Sequence, residues 1–136
     1  MKYLAGLLYN YRMKLTPEGA KKKAWTAFAR YIRNRDPNCV TCGHPTTEAG
    51  HFLHNSDKKN KQLGGNALWY DEQNVHGQCG VCNRWKSGNL ASYSLFLEDK
   101  YGHGIIQELY TKFRTSRKYT IEELLDIEEY YINMNT

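Results

Sequence analysis

The sequence lacks long hydrophobic runs, internal repeats and low-complexity segments. No apolar stretch approaches the roughly 20 residues that a membrane-spanning helix needs, so we expect no membrane association. The apolar segment Tyr3–Tyr9 is short, has no small-residue cleavage site and is soon followed by Arg12 and Lys14, which argues against a signal peptide. Only four cysteines occur, and nothing indicates an oxidising compartment. We therefore expect a cytoplasmic protein whose thiols are reduced.

Charge is distributed unevenly along the 136 residues, a length that fits one domain with a modest core. All 19 lysines and arginines precede Tyr119, whereas five of the 14 acidic residues follow it. A basic body indicates a polyanionic partner such as DNA, although many soluble proteins carry the same balance without one. Nucleic-acid binding and a merely solvated basic surface both stay open at this point.

Local patterns predict an α+β protein with little sheet. Helix-start signals, helical spacing of apolar residues and strand-like runs all occur, in an order that places a β-hairpin between helices. The predicted elements are a helix over Pro17–Arg35, strands over Glu48–His54 and Ala67–Tyr70, a helix after Cys82 interrupted near 87–89, helices on either side of 101–104, and a last helix opened by a capping box at Thr120.

The four cysteines form two Cys-x-x-Cys pairs, which predict a structural zinc site. Both thiolates of such a pair reach one ion, so Cys39, Cys42, Cys79 and Cys82 would complete its tetrahedral shell and clamp the ends of the hairpin. Four thiolates leave no open position, so this ion cannot activate water. A redox-active pair is the alternative, which the absence of a thioredoxin-like βαβ context disfavours.

Three residues between and beside these pairs resemble the order of the HNH nucleases: His51 in the first strand, Asn74 after the second, and Asn83 at a helix start. The longer pattern W..F..YIR.RD…C..CG…AGHF…NALW.DE.NVHGQC..CN…SGN is similar to the phage lambda NinG (Rap) family of recombination endonucleases. The resemblance covers roughly Trp25 to Gly102, and it leaves the N-terminal residues and the acidic C-terminal helix unmatched.

The resemblance implies a zinc-held ββα-metal core of the HNH, or His-Me finger, type within a single domain over 1–136. That domain would comprise an N-terminal extension (1–16), the nuclease core with its preceding helix (17–100) and C-terminal helices (101–136). It also implies a phage enzyme of the host cytoplasm that hydrolyses phosphodiester bonds in branched DNA, such as Holliday junctions.

The resemblance further assigns a role to each of the three residues. His51 is the candidate general base, because a neutral imidazole with a pKa near 6.5 can take a proton from water. Asn83 would give an amide oxygen to a catalytic Mg²⁺ or Mn²⁺ ion, and Asn74 would tie down the loop that carries the base. The alternatives are a surface histidine, a helix-capping asparagine and an ordinary turn asparagine, respectively.

One position departs from the common HNH pattern. Many HNH proteins have an aspartate that binds the metal immediately before the base, and this chain has Gly50 there. The missing ligand is therefore unassigned, with four candidates that lie close in sequence: Glu48, His54, Asp71 and His76.

Basic residues near the motif are candidate DNA contacts. Arg84 and Lys86 would bind phosphates beside the scissile bond, and three lysines of the hairpin loop (Lys58, Lys59 and Lys61) would follow the DNA backbone. Each of these cations can also be a solvated surface charge. The three tryptophans, Trp25, Trp69 and Trp85, are expected to lie in the core.

Two other functions and one assembly remain open. The chain could nick or restrict ordinary duplex DNA, or it could be a non-catalytic zinc-dependent DNA-binding module. Paired cuts in a four-way junction favour a homodimer, formed through the segments Tyr3–Tyr9 and Tyr119–Asn135. Packing of these segments on the core of the same chain is the alternative.

Overall fold

Helices form most of the regular secondary structure in the part of the chain that the structure describes, which also contains one two-stranded sheet. The computed structural model describes residues 6, 14–54, 67–115 and 117–136. The predicted α+β class is confirmed. In chain order, the elements are α1 (Pro17–Arg35), β1 (Glu48–His51), β2 (Val75–Gln78), a π-helical turn (Val81–Trp85), α2 (Leu90–Tyr101), α3 (Ile105–Phe113) and α4 (Ile121–Met134).

Both terminal helices begin at the side-chain caps that their sequences predict. The hydroxyl of Thr16 accepts a hydrogen bond from the Gly19 amide at 3.0 Å, with Pro17 in the first turn of α1. Thr120 and Glu123 form a reciprocal capping box at the start of α4. Such caps satisfy backbone amides that have no partner within the helix, so both helix starts are fixed locally.

The acidic helix α4 packs against the basic helix α1. Small residues on α1 allow a close approach, with Ala20 and Ala24 buried against Leu124. The ring of Tyr131 lies 4.9 Å from that of Phe28, and Lys23 pairs with Glu128 at 3.5 Å. Much of the C-terminal segment therefore covers the core of its own chain.

The homodimer remains a prediction. Tyr130, Ile132 and Met134 are exposed on α4 and stay available to a partner. The other segment proposed for the dimer interface, Tyr3–Tyr9, lies outside the described residues apart from Gly6.

The two strands of the hairpin are antiparallel, with Glu48 opposite Gln78 and His51 opposite Val75. The first strand ends at His51 rather than His54, because Phe52 and Leu53 turn into the core. The prediction of a second strand over Ala67–Tyr70 is wrong: these residues form turns, and β2 lies further along the chain.

Burial explains both why Ala67–Tyr70 resembles a strand in sequence and why β2 does not. Leu68 is fully buried, so the apolar run that suggested a strand is an apolar turn. All four residues of β2 are buried, so they lack the polar–apolar alternation that predicts a half-buried strand. Gly77 is required within β2, because a side-chain carbon there would lie 2.5 Å from the backbone oxygen of Asp36.

Two hydrophobic clusters meet at the hairpin. One joins Phe52 and Leu68 to residues of α2 and α3, including Tyr93 and Leu97. The other joins Val75 of β2 to α1 and α4. The hairpin is therefore packed against α2 and α3 through one cluster and against α1 and α4 through the other, which fixes the side chains at its ends.

The predicted helix break near 87–89 is confirmed. Ser87, Gly88 and Asn89 all have positive φ angles, of 50°, 92° and 48°, respectively, and they separate the π-helical turn from α2. Short π-helical segments occur often at functional sites. Among the described helices, none has the length and apolar character needed to cross a bilayer.

Candidate metal and catalytic sites

The four cysteines converge although the two pairs are far apart in sequence. Their sulfur atoms all lie within 4.8 Å of one another, and Cys42 Sγ is 3.5 Å from Cys79 Sγ. Sulfur atoms around a tetrahedral zinc ion, with bonds of about 2.3 Å, lie roughly 3.8 Å apart. The cluster can therefore hold a metal ion such as zinc.

The environment of the thiols also fits a cation. The hydroxyl of Thr41 lies 3.1 Å from Cys39 Sγ, and the Cys82 amide donates to Cys79 Sγ at 3.4 Å. Burial by itself raises the pKa of Cys39, but hydrogen bonds with the Thr41 hydroxyl and with the backbone of Cys79 and Thr41 lower it to about 6. The neighbouring thiols contribute to raising the pKa of Cys42 to about 12, against a backbone hydrogen bond from His44 that lowers it. Four thiolates this close together would repel one another, so the thiols cannot all ionise without a cation. A bound divalent ion would stabilise the thiolates and remove this repulsion.

His51 is enclosed by two tryptophans at the end of β1. Its ring stacks on Trp25 of α1 at 5.0 Å and on Trp69 at 4.2 Å, and only 5% of the residue is exposed. The half-buried Trp25 and Trp69 agree with their predicted packing role. The surface-histidine alternative for His51 is therefore wrong.

The hydrogen bond to Trp69 determines which ring nitrogen of His51 is protonated. Nε2 lies 3.0 Å from the carbonyl oxygen of Trp69, and since a carbonyl only accepts, Nε2 carries the proton. The other nitrogen, Nδ1, is then the basic one. Burial lowers the pKa of His51 to about 4, against the Trp69 hydrogen bond that raises it, so the imidazole is neutral near pH 7.

Asn74 forms hydrogen bonds with two chain segments that lie beside His51. The residue is fully buried; its Oδ1 accepts from the Leu53 amide at 2.9 Å, and its Nδ2 donates to the carbonyls of Leu53 at 3.0 Å and Leu68 at 3.3 Å. Leu53 follows the histidine, and Leu68 precedes the tryptophan whose carbonyl orients it. Asn74 therefore links the segment that follows His51 to the turn whose carbonyl binds the imidazole.

His76 cannot be the unassigned metal ligand, because both of its nitrogens are used. Nε2 lies 2.9 Å from the Tyr101 hydroxyl and Nδ1 lies 3.2 Å from the Tyr93 hydroxyl. Tyr93 in turn donates to the backbone oxygen of Gly50 at 2.7 Å. The buried chain of hydrogen bonds ties α2 to the residue immediately before His51.

Two further candidates for the ligand differ in position. Asp71 accepts from the Gln73 amide at 2.8 Å and pairs with Lys112 at 3.4 Å, so its carboxylate is engaged. His54 is exposed, with its ring 5.8 Å from that of His51. Among the described residues, neither forms a hydrogen bond with the Asn83 side chain, which binds Glu48.

Glu48 is the candidate that reaches Asn83. Asn83 Nδ2 donates to Glu48 Oε2 at 2.8 Å, and Arg84 Nε pairs with Glu48 Oε1 at 2.7 Å. Because a carboxylate only accepts, Asn83 Oδ1 points away from Glu48. It points towards Gly50, where a side-chain carbon would lie 2.8 Å from it.

The candidate DNA contacts are only partly described. Arg84 is 70% exposed but pairs with Glu48, and Lys86 is exposed at the end of the π-helical turn. The three lysines Lys58, Lys59 and Lys61 lie outside the described residues. The expectation that Trp85 lies in the core is wrong: it is 84% exposed, between Arg84 and Lys86.

Sequence reasoning missed two residues of this site. Gln78 is fully buried beside Gly50, and no sequence signal distinguished it from an ordinary strand glutamine. Trp85 was misplaced because an aromatic residue is usually buried, although its two basic neighbours were a usable signal.

Fold and site together define a small α+β protein in which a four-cysteine cluster, able to hold a metal ion, braces a histidine-bearing hairpin. Comparison with known proteins gives the family. The family model described as Bacteriophage Lambda NinG protein matches residues 10–135, which extends the similarity through α4. The chain belongs to the NinG family.

Individual relatives agree with this assignment. The proteins called Protein ninG from Escherichia phage 933W, Salmonella phage P22 and Escherichia phage lambda are each 34% identical to the chain over 115 residues. The match covers 81% of this chain, 53% of the first two relatives and 52% of the lambda protein. The chain therefore spans about half the length of these relatives. No solved structure gave a significant match.

Proposed function

We propose that this chain is a metal-dependent DNA endonuclease of the HNH type that cuts branched DNA, such as a four-way junction. The observation that carries the proposal is a neutral, oriented histidine next to Gly50, with an asparagine oxygen that faces this same glycine. His51 lies at the end of β1, and Asn83 lies in the π-helical turn that follows β2. Antiparallel strands and a following helical segment agree with the expected ββα arrangement.

In this proposal each residue has a separate task. His51 Nδ1 takes a proton from the water that attacks the phosphorus atom, while the Trp69 carbonyl holds the ring through Nε2. Asn74 keeps both segments in place and does not touch the substrate. A divalent cation, held in part by Asn83 Oδ1, would stabilise negative charge on the phosphate and on the departing 3′ oxygen. The four cysteines hold a structural zinc ion.

The DNA-binding surface would include the π-helical turn. Trp85 presents its indole to solvent beside the cations of Arg84 and Lys86. An exposed aromatic ring can stack on an unpaired base, and neighbouring cations neutralise phosphates. Unpaired or splayed bases are available at a junction, which is why this surface favours branched DNA over intact duplex.

A panel of DNA substrates tests the proposal. Zinc-loaded protein would be incubated with a four-way junction, a linear duplex of the same sequence and a supercoiled plasmid, with Mg²⁺ or Mn²⁺ either added or omitted. We expect metal-dependent cleavage, with the junction cut fastest. Plasmid nicking without junction preference would support a duplex nuclease instead, and failure to cleave any substrate would contradict the enzymatic function.

A non-catalytic zinc-dependent DNA-binding module is the second candidate. The enclosure of His51 between Trp25 and Trp69 favours it, because a base must reach its water. Gly50 favours it as well, since it removes a common metal ligand. Tight junction binding without cleavage in the same panel would select this candidate.

A further inference from the structure

Two side-chain amides converge on Gly50, the residue where HNH proteins often carry an aspartate. A side-chain carbon on Gly50 would lie 1.9 Å from Gln78 Oε1 and 2.8 Å from Asn83 Oδ1. Both oxygens therefore lie close to the Gly50 Cα, in space that a side chain at this position would need. An aspartate at position 50 could not share this space with Gln78.

The orientation of the Gln78 amide is fixed by its partners. Nε2 donates to the backbone oxygen of Gly88 at 2.9 Å and to the Thr41 hydroxyl at 3.2 Å. Because the Gly88 carbonyl only accepts, a flipped amide would place its oxygen against the Gly88 oxygen, which is unfavourable. Oε1 must then face Gly50. The side chain is fully buried, and its oxygen has no hydrogen-bond partner among the described residues.

The Asn83 amide is fixed in the same way from the other side. Its Nδ2 group donates to the Glu48 carboxylate at 2.8 Å, which directs Oδ1 towards the same space. Two carbonyl oxygens that face one space, without a donor between them, repel each other and are costly to bury. A cation bound to both oxygens beside Gly50 would satisfy them, and hard divalent cations prefer amide and carboxylate oxygens, at about 2.1 Å for Mg²⁺.

We propose that Gln78 supplies the metal ligand that Gly50 cannot, and binds the divalent cation together with Asn83. The inference rests on the metal site of the proposed function and adds a residue to it. Glu48 is a positioning residue, since its carboxylate orients the Asn83 amide and adds negative charge beside the ion. Because Gly50 has no side chain, there is room for the Gln78 oxygen, which takes the place of the usual aspartate ligand.

Nuclear magnetic resonance of the wild-type protein tests the site without any substitution. Zinc-loaded, ¹⁵N-labelled protein would be titrated with Mn²⁺ in the absence of DNA. A paramagnetic ion at this site should broaden the side-chain amide signals of Gln78 and Asn83 first. The exposed side chain of Gln107, on α3, is the internal control and should broaden last. Broadening of the Asn83 signals with sharp Gln78 signals would overturn the inference.

A pair of variants gives a quantitative test. Gln78→Met removes the oxygen but keeps the approximate volume, and Gln107→Met makes the same change at the exposed glutamine on α3, away from the site. Binding of Mn²⁺ would be followed by loss of the free-ion electron paramagnetic resonance signal, with zinc content checked in both. We expect at least about a tenfold weaker affinity in Gln78→Met and a nearly unchanged affinity in Gln107→Met. Equal affinity in wild type and Gln78→Met would contradict the proposal.

These measurements separate the inference from the proposed function. Metal binding at Gln78 and Asn83 by a protein that cuts no DNA would support the site and contradict the enzyme. Metal-dependent cleavage by a protein whose Gln78 signals stay sharp would support the enzyme and contradict the inference that Gln78 binds the ion. A Gln78→Met protein that loses zinc or fails to fold leaves the decision to the wild-type titration.

Discussion

Asn74 gives the most direct link between the stability of this fold and the orientation of its histidine. Substitution Asn74→Ala removes three hydrogen bonds in a fully buried position, to the amide and carbonyl of Leu53 and to the carbonyl of Leu68. Each buried group that loses its partner costs about 1–3 kcal/mol, and the longest of the three bonds should contribute least. We therefore expect the free energy of unfolding to fall by about 3–5 kcal/mol.

Urea-induced unfolding of zinc-loaded protein, followed by circular dichroism, measures this loss. The exposed residue Asn133 on α4 offers a matched control, because Asn133→Ala should change the free energy of unfolding by no more than about 0.5 kcal/mol. The slope of unfolding against urea should stay the same in all three proteins. A loss below about 1 kcal/mol for Asn74→Ala would refute the view that this side chain holds the histidine loop together.

Three further predictions follow from the metal cluster, the buried histidines and the exposed tryptophan. Elemental analysis should find about one zinc per chain, and Cys42→Ser or a chelator should unfold the protein; a folded, metal-free protein would contradict the four-cysteine site. Because burial lowers the pKa of His51 to about 4 and that of His76 to about 3, the unfolded chain takes up these protons first, near pH 6.5. The free energy of unfolding should therefore keep its full histidine contribution above that pH. It should fall as pH drops towards 4, by up to about 1.4 kcal/mol per pH unit for each histidine. A free energy of unfolding that stays constant from about pH 6.5 to 4 would contradict the burial of these two rings. Trp85→Ala should weaken junction binding about tenfold, measured by fluorescence anisotropy, with unchanged thermal stability; unchanged affinity would exclude base stacking.

Much of the helical structure could be predicted because its signals are local. Thr16 and Pro17 define the start of α1, and the Thr120–Glu123 box defines that of α4, with no knowledge of the rest of the fold. The cysteine pairs could be predicted for a similar reason, since the spacing within each pair matches the geometry of one ion.

The second strand could not be predicted, since the pattern that marks a strand depends on what covers each face. Burial of all of β2 removed the alternation, and the turn that contains Leu68 and Trp69 is apolar because it closes one cluster and covers His51. Local sequence cannot distinguish these two cases.

The position of Gln78 depends on contacts from three separate segments. Thr41, Gly88 and Gly50 are distant in sequence, and only folding brings them to one amide group. Sequence therefore identified a missing ligand at Gly50 and named four charged or imidazole candidates, but not the neutral side chain in the neighbouring strand.

The single-turnover cleavage rate of His51→Ala tests directly whether His51 is the general base of a DNA endonuclease. Wild-type and variant protein, each with its zinc content verified, would be mixed in excess with a labelled four-way junction and saturating Mg²⁺. We expect a rate at least about a hundredfold lower in the variant, because the general base is lost, and a junction affinity within a factor of about two of wild type. Equal cleavage rates in the two proteins would contradict the assignment of His51 as the base.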